Sequence, residues 1–202
     1  MQKEYDFESK LVFLGDTGVG KTSIISRYME NVFDVNVPSS RGAFHHEKIL
    51  QVGRKSYKVY IWDTTGEERF KSMLTFYYRD AHMVALVYST VSQDSIDNIR
   101  FWINEIQTKN NKKCAILLIG NKIDLKPNHN DADISGDIQS ICNEFNIEHI
   151  YASAKQKVNI EQIFQKLITK ADEKLIIENN ENEFQGRKVT NLSKPNVSNC
   201  SC

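Results

Sequence analysis

The sequence has no excess of either charge and no long apolar run. In its 202 residues, 26 Lys and Arg balance 26 Asp and Glu, so no overall basic field would attract nucleic acid or an anionic membrane. No apolar stretch reaches the length of about 20 residues that crosses a bilayer. Residues 1–6 contain neither the apolar core of a signal peptide nor a glycine at position 2 for myristoylation. We therefore expect the body of the protein to lie in the cytosol.

Cysteine is scarce as well, with four residues in the chain. Cys114 lies in an apolar run and Cys142 in a helical pattern, where a buried free thiol is the usual interpretation, and neither has metal-ligand spacing. Cys200 and Cys202 stand apart at the end of the chain. The length suits one domain with an appendage and is sufficient for a full hydrophobic core.

Strand-like apolar runs alternate with amphipathic segments along most of the chain. This alternation predicts an α/β fold: a single doubly wound domain with a mixed, mostly parallel six-stranded sheet and helices on both faces. The predicted strands are the run to Leu14, Lys48–Val52, Tyr57–Trp62, Met83–Tyr88, Ala115–Ile119 and a short strand ending near Tyr151. The predicted helices run from the first loop to near Glu30, from an N-cap at Ser92 through Ile106, from Ile134 to Phe145, and from Ile160 to Leu175. The second and third strands form a hairpin that turns around residues 53–55.

Residues 15–22 have the spacing of a phosphate-binding loop: a glycine, four residues, then Gly, Lys and Thr. Glycines let backbone N–H groups surround an anion, and the following helix adds its free N–H groups and its positive dipole end. Lys21 would reach the terminal phosphates, and the hydroxyl of Thr22 would bind Mg²⁺. The alternative is a glycine-rich turn followed by Lys and Thr by chance.

Asp63 follows the predicted strand Tyr57–Trp62. This position suits a carboxylate that holds Mg²⁺ through water opposite Thr22. An aspartate in an ordinary turn at a strand end is the alternative, and the phosphate loop makes it the weaker one.

A polar motif from Asn121 to Asp124 follows the strand that ends at Gly120, at the sheet edge where doubly wound folds bind ligands. The Asp124 carboxylate can accept two parallel hydrogen bonds from N1 and N2 of guanine, whereas adenine has no amino group at C2. Residues 153–155 would complete the pocket, with a backbone N–H near Ala154 directed to the guanine O6. Each motif alone is common in polar loops, but together and in this order they predict a guanine nucleotide site.

With these motifs the chain resembles the Ras-like small GTPases and, within them, the Rab family. The resemblance covers residues 9–177 and includes family-specific stretches at 58–62, 69–72, 77–81 and 86–88. It implies a small G domain that binds GTP or GDP with Mg²⁺ and hydrolyses GTP to GDP and phosphate.

The resemblance also implies roles for individual residues. The implied nucleotide contacts are Asp16, Thr17, Gly18, Val19, Gly20, Lys21, Thr22, Ser23, Phe33, Ser40, Gly66, Asn121, Lys122, Asp124, Leu125, Ser153, Ala154 and Lys155. The implied metal ligands are Thr22, Ser40 and Asp63. Gly66 and Glu67 take the catalytic positions.

By the same resemblance, residues 31–40 form switch I, with Phe33 packing against the guanine, and residues 69–79 form switch II. In the family, the γ-phosphate and Mg²⁺ order both switches, hydrolysis releases them, and partners bind according to the difference. Trp62 and Tyr77 match two members of the aromatic cluster through which Rab proteins contact effectors. Ordinary core packing is the alternative for both side chains.

The segment 179–202 is rich in Asn, Glu, Ser and Lys without periodicity, which predicts a disordered tail after a G domain over residues 1–178. The end, Cys200-Ser201-Cys202, is similar to the Cys-X-Cys ending on which many Rab proteins carry two geranylgeranyl groups. A pair of exposed thiols is the alternative. Two lipids would suffice for membrane binding where one lipid or the few basic residues of this tail would not.

Several positions near switch I depart from the family pattern. Ser40 stands where the family has a threonine that binds Mg²⁺, and it keeps the hydroxyl and the N–H. Arg41 replaces an apolar residue, and His45 stands where an effector-contacting Phe is expected, with Phe44 one place early. Because adjacent residues of a strand point to opposite faces, Phe44 cannot take over that role. For the same reason we prefer a solvated histidine to a metal site at His45 and His46.

The larger departure is Glu67, where the family has the glutamine that orients the attacking water. A glutamine both accepts from water and donates to the transition state, whereas a carboxylate only accepts, and its charge faces phosphate oxygens that are gaining charge. A general-base role is the alternative, but a carboxylate with a pKa of about 4 is a weak base, and raising that pKa beside Mg²⁺ is difficult. We therefore expect slow intrinsic hydrolysis.

The leading hypothesis is a membrane-attached trafficking switch that recruits effectors when GTP-bound. Implied partners are an exchange factor, a GTPase-activating protein, a GDP-dissociation inhibitor, escort and prenyltransferase proteins, and effectors, with no nucleic acid and with a monomeric chain. It would lie on the cytoplasmic face of intracellular membranes, with a soluble cytosolic pool. One alternative is a hydrolysis-deficient, mostly GTP-loaded binding module. Another is a P-loop kinase of a small metabolite, which would have no need of residues 121–124 or of the Cys-Ser-Cys end.

Overall fold

The chain folds around a six-stranded sheet. The computed structural model describes residues 4–34, 44–64, 76–110, 114–126 and 136–174. The strands are β1 (Phe7–Leu14), β2 (Phe44–Val52), β3 (Lys55–Asp63), β4 (Met83–Ser89), β5 (Ala115–Asn121) and β6 (Glu148–Tyr151). They lie in the order β2-β3-β1-β4-β5-β6, with β2 antiparallel to β3 and the other pairs parallel. The predicted fold class is confirmed.

Helices cover both faces of the sheet. Among the described residues, the helices of five residues or more are α1 (Lys21–Glu30), α2 (Gln93–Asp97), α3 (Ile99–Lys109), α4 (Gly136–Phe145) and α5 at residues 160–174. Phe13 of β1 lies in the apolar cluster that includes Phe164 of α5, whereas its neighbour Val12 lies in the opposite cluster with Ile103 of α3. This division follows from the alternation of side chains along a strand.

The central strands place polar residues at one edge of the sheet. Every residue of β4 and of β5 is buried, because both faces of these strands are covered, and their sequences are accordingly apolar and continuous. At their carboxyl ends Ser89 pairs with Asn121. Asp63 ends β3 beside Phe13, near the end of β1. The ends of four strands therefore meet where the sequence motifs begin.

The hairpin is longer than the sequence pattern predicts. Its strands pair from Phe44 opposite Asp63 to Val52 opposite Lys55, so the turn consists of Gly53 and Arg54, with Gly53 at a φ of 60°. The prediction was too short because residues 44–47 show no apolar alternation. The backbone ladder extends through them regardless of side-chain type.

The helix predicted to begin at Ser92 is divided in two. The Ser92 side chain accepts from the Ser95 N–H at 3.4 Å, as an N-cap does, but α2 ends at Asp97 and α3 begins at Ile99. Asn98, between them, has a ψ of −7°, and its side chain is engaged by the phosphate loop. Apolar spacing alone could not indicate this interruption.

The remaining elements agree with the sequence. A 3-10 turn at Ile123–Leu125 follows β5, and β6 ends at Tyr151 as predicted. Helix α4 begins at Gly136, and its predicted start at Ile134 lies outside the described residues, as does Leu175. In the part of the chain that the structure describes, none of the helices combines the length and apolar character that crossing a membrane requires.

Candidate functional site

Residues 15–20 connect β1 to α1 and are packed tightly against the ends of β4 and β5. A Cβ atom on Gly15 would lie 2.0 Å from the carbonyl oxygen of Val87, and one on Gly20 would lie 2.3 Å from Asn121 Nδ2. Both glycines have positive φ, 130° and 98°. Larger residues are therefore excluded by strain and by space, and the loop keeps a bare backbone at the start of a helix, as anion binding requires.

Lys21, the first residue of α1, places its ammonium group over this loop. The residue is only 5 % exposed, and Nζ donates to the carbonyl oxygens of Gly15 at 2.8 Å and Asp16 at 2.9 Å. Burial lowers the pKa of Lys21 to about 8, although the carboxylates of Asp63 and Asp16 act in the opposite direction. A buried cation beside a glycine loop is an arrangement suited to binding an anion.

Thr22 and Asp63 bring two hard oxygen groups together next to the loop. The Thr22 hydroxyl donates to Asp63 Oδ2 at 2.7 Å, and Asp63 is buried, with 2 % exposure. Hydroxyl and carboxylate oxygens are ligands that Mg²⁺ prefers, and Mg²⁺ commonly binds one or two protein ligands together with substrate phosphates. Among the described residues there is no group of three or more His, Cys, Asp or Glu that could hold a metal. The oxygen atoms of Thr22 and Asp63 fit an Mg²⁺ ion that is also bound by phosphate oxygens.

The side chain of Asp16 contacts the protein itself. Its Oδ2 accepts from Asn98 Nδ2, and its Oδ1 accepts from the indole Nε1 of Trp102, both at 2.8 Å. Asp16 was expected among the nucleotide contacts, and the structure places its carboxylate against α3. The sequence predicts only that Asn98 and Trp102 lie in a helix from Ser92 through Ile106.

Asn121 connects the phosphate loop to the predicted base-binding loop. Its side chain donates from Nδ2 to the Val19 carbonyl at 2.9 Å and accepts at Oδ1 from the Ala154 N–H at 3.3 Å. The side chain is buried, with 2 % residue exposure. The side chain of Asn121 therefore links the phosphate loop to the loop that contains Ala154.

Asp124 and Ser153 bring the other base-side motifs together. The Ser153 hydroxyl donates to Asp124 Oδ1 at 2.6 Å and accepts from the Gln156 N–H at 2.9 Å. Lys122 adopts a left-handed φ of 69° and precedes the 3-10 turn that carries Asp124. Leu125, also expected at the nucleotide, is 54 % exposed.

An aromatic surface is formed around Trp62 of the hairpin. The ring of Trp62 stacks on His45 at 5.6 Å and contacts Tyr77 at 5.7 Å, with Lys10 Nζ 5.5 Å from its centroid. His45 is exposed, as predicted, whereas Trp62 and Tyr77 are half-buried and pack against the core. Phe76 is 79 % exposed. Trp62 and Tyr77 therefore pack against the core and also keep part of their surface exposed.

Some predicted positions lie outside the described residues. They are Ser40, Arg41, Gly66, Glu67, residues 69–75 of switch II and the tail with Cys200 and Cys202. Of switch I, residues 31–34 are described, including Phe33, whose ring centroid is 5.8 Å from the Arg27 guanidinium carbon. The structure also does not describe the side chain of Phe44.

Comparison with known proteins agrees with this geometry. The Ras family model matches residues 10–173. The chain is 34% identical to the Ras-related protein Rab-8A of Bos taurus, over 94% of this chain and 93% of that protein. It is 37% identical to the Ras-related protein Rab2BV of Beta vulgaris, over 82% of this chain and 77% of that protein. It is 35% identical to the Ras-related protein Rab11A of Nicotiana tabacum, over 82% of this chain and 76% of that protein.

The matched region contains the phosphate loop, the Thr22–Asp63 pair and the base-side motifs described above. Identity of this level over most of both chains, together with the doubly wound fold, assigns the protein to a guanine-nucleotide-binding enzyme family. The chain belongs to the Ras family of small GTPases, within its Rab group.

Proposed function

We propose that this protein is a Rab-type switch that binds Mg²⁺ with GTP or GDP, hydrolyses GTP slowly and recruits trafficking effectors in the GTP-bound state. The observation that carries the proposal is the position of Asn121, whose side chain contacts both the phosphate loop at Val19 and the base-side loop at Ala154. A single ligand with phosphate at one end and a base at the other would therefore bind alongside Asn121 and contact both loops.

The phosphate end is formed by Lys21 and the exposed backbone of the loop. The buried ammonium of Lys21 gains a counter-charge when phosphate binds. Thr22 and Asp63 would hold Mg²⁺, which neutralises charge between phosphate oxygens. Ser40, on switch I, would add a further hydroxyl ligand when GTP is bound. Ser23 and the N–H groups of residues 16–20 would complete the phosphate contacts.

The base end is formed by Asp124, held in place by Ser153. Its carboxylate would accept from guanine N1 and N2, and the hydroxyl of Ser153 fixes its orientation. Exchanging Asp124 for Asn turns one acceptor into a donor, which suits the additional carbonyl of xanthine. We expect Asp124→Asn to lose GDP affinity and to gain xanthosine diphosphate affinity in equilibrium titrations. Unchanged GDP affinity in that variant would mean that the base pocket is elsewhere.

Hydrolysis depends on Gly66 and Glu67 in our proposal. The Gly66 N–H would contact the γ-phosphate, and the Glu67 carboxylate would accept from the attacking water without donating to the transition state. Slow intrinsic turnover follows, and a GTPase-activating protein that supplies its own arginine and glutamine could restore the rate.

Attachment to membranes rests on the tail in this proposal. Prenylation of Cys200 and Cys202 would hold the protein on the cytoplasmic face of an intracellular membrane, and a GDP-dissociation inhibitor would maintain a cytosolic pool. An exchange factor and effectors would act at the switch segments. Replacing both cysteines by serine should move a tagged protein from the membrane fraction to the cytosol, and unchanged membrane binding would contradict the lipid assignment.

Glu67 also favours a second candidate, a GTP-loaded binding module that cycles mainly through nucleotide exchange. The nucleotide that copurifies with the protein separates the two functions, since a switch with slow but real turnover carries mostly GDP. Mostly GTP, with no stimulation by an activating protein, would favour the second candidate.

A further inference from the structure

The guanidinium group of Arg27 links the C-terminal end of α1 to residues 154 and 155, which are more than 120 positions away in the sequence. Arg27 lies on α1 and is half-buried. Its Nε donates to the Ala154 carbonyl at 2.8 Å and its Nη2 to the Lys155 carbonyl at 3.3 Å. Its Nη1 donates to the Asn31 carbonyl at 2.7 Å. The same guanidinium lies 5.8 Å from the centroid of the Phe33 ring.

The first two acceptors belong to the base-side loop. That loop is closed by paired backbone hydrogen bonds between Ser153 and Val158, at 3.2 and 3.0 Å, and the carbonyls of Ala154 and Lys155 project from it toward α1. Ser153 holds Asp124, and the Ala154 N–H contacts Asn121. Movement of this loop would therefore displace the groups that select the base.

The third acceptor belongs to the segment that leaves α1. Asn31 is the C-cap of the helix, with a left-handed φ of 57°, and its orphan carbonyl is bonded by the side chain of Arg27. Phe33 follows two residues later, at the start of the segment that resembles switch I. The same side chain thus contacts the base loop and the entry to that segment.

Lys21 and Thr22 are the first two residues of α1. Arg27 therefore lies on the same helix as the groups that would bind phosphate. A guanidinium has a planar set of donors with fixed directions, which can bond carbonyls on different sides simultaneously. A lysine ammonium at this position could satisfy at most part of this set. The charge makes each of these hydrogen bonds stronger than a neutral one.

We infer that Arg27 is a positioning residue for guanine-nucleotide binding: it fixes the base-side loop relative to the phosphate loop and couples both to the start of switch I. The inference rests on the proposed nucleotide-binding function. When Arg27 is removed, the carbonyls of Ala154 and Lys155 lose their charged donor and the loop that carries the base contacts is freed. Nucleotide dissociation becomes faster and base discrimination becomes poorer.

The test measures dissociation of fluorescent GDP, in Mg²⁺, from wild type, Arg27→Ala, Arg27→Lys and the control Arg100→Ala. Arg100 pairs with Glu144 at 2.9 Å on the surface of α3 and α4, and among the described residues it forms no hydrogen bond or ion pair with a nucleotide motif. We expect Arg27→Ala to release GDP about tenfold to a hundredfold faster, Arg27→Lys to be intermediate, and Arg100→Ala to match wild type.

A second readout distinguishes positioning from general destabilisation. Inosine diphosphate lacks the 2-amino group that Asp124 would bind, so the ratio of GDP to inosine diphosphate affinity reports the alignment of the base loop. Arg27→Ala should lower this ratio, whereas a merely less stable protein would weaken both ligands equally. Thermal unfolding of every variant without nucleotide gives the stability change separately.

Failure of the inference and failure of the proposed function are distinguishable. If the wild type binds no guanine nucleotide, the proposed function is wrong. If the wild type binds GDP but Arg27→Ala releases it at the wild-type rate, or weakens both ligands equally, the positioning role is overturned. Full rescue by Arg27→Lys would overturn the requirement for a planar set of donors.

Discussion

The indole N–H of Trp102 donates to Asp16 Oδ1 across 2.8 Å, and this contact attaches the phosphate loop to helix α3. Trp102 is 4 % exposed, and the second carboxylate oxygen of Asp16 accepts from Asn98 at 2.8 Å. The loop is therefore held against α3 by the carboxylate of Asp16, which accepts hydrogen bonds from two donors.

Replacing Asp16 by Ala should lower the free energy of unfolding by about 1–3 kcal/mol, because it leaves the buried N–H of Trp102 without its acceptor. Trp102→Phe removes the donor and keeps a large aromatic ring, so it serves as the partner variant. Urea unfolding of both single variants and the double variant gives the coupling energy. Losses that simply add in the double variant would mean that the contact contributes nothing to stability.

Asp172 should make the free energy of unfolding depend on pH in the acid range. Burial alone would raise the pKa of Asp172, but hydrogen bonds from Lys55, at 2.5 Å, and from the hydroxyl of Tyr57 outweigh it and leave the pKa below its ordinary value. The folded state then binds fewer protons than the unfolded state. The stabilisation is present above the unfolded pKa of about 4 and is lost as the pH falls through the folded pKa.

We therefore expect Asp172→Asn to destabilise the protein by about 1–3 kcal/mol at pH 7 and by progressively less below pH 4. Urea unfolding across this pH range measures the difference. A constant difference between the two proteins at every pH would contradict the assignment. Asp97→Asn, which changes an exposed carboxylate on α2, is the control.

Removal of Mg²⁺ should accelerate GDP release from the wild type by about tenfold to a hundredfold, because metal and nucleotide binding are coupled reciprocally. Asp63→Asn keeps the shape of the side chain and removes the charge that would hold the metal, so the chelator should have a much smaller effect. Asp97→Asn changes an exposed carboxylate on α2, 2.8 Å from Gln93, and should behave as wild type. Equal chelator effects in all three proteins would contradict a role for Asp63 in metal binding.

Glu67→Gln should hydrolyse bound GTP faster than the wild type, by at least about tenfold, since the amide adds a donor to the transition state. Single-turnover hydrolysis of the two proteins, loaded with the same nucleotide, makes the comparison. A wild type that is as fast as the variant or faster would sink the idea of slow intrinsic turnover.

The sequence by itself determined the fold class and the local motifs. Alternating strands and helices need only hydrophobic periodicity, which is a property of neighbouring residues. The phosphate loop is likewise contained in residues 15–22, where glycine spacing and a helix start suffice to indicate its chemistry. The extent of β2 was underestimated, because backbone pairing carried the ladder through His45 and His46, which show no apolar alternation.

Only the tertiary structure decided which residues support the site. Arg27 and Ala154 are 127 positions apart, and Asp16 and Trp102 are 86 positions apart, so no local pattern links them. Trp102 fits an apolar helix stripe, and Arg27 fits an exposed helix face equally well. Their roles arise from the packing of α1 and α3 on opposite faces of the sheet, which brings their donors to the one edge where the strands end.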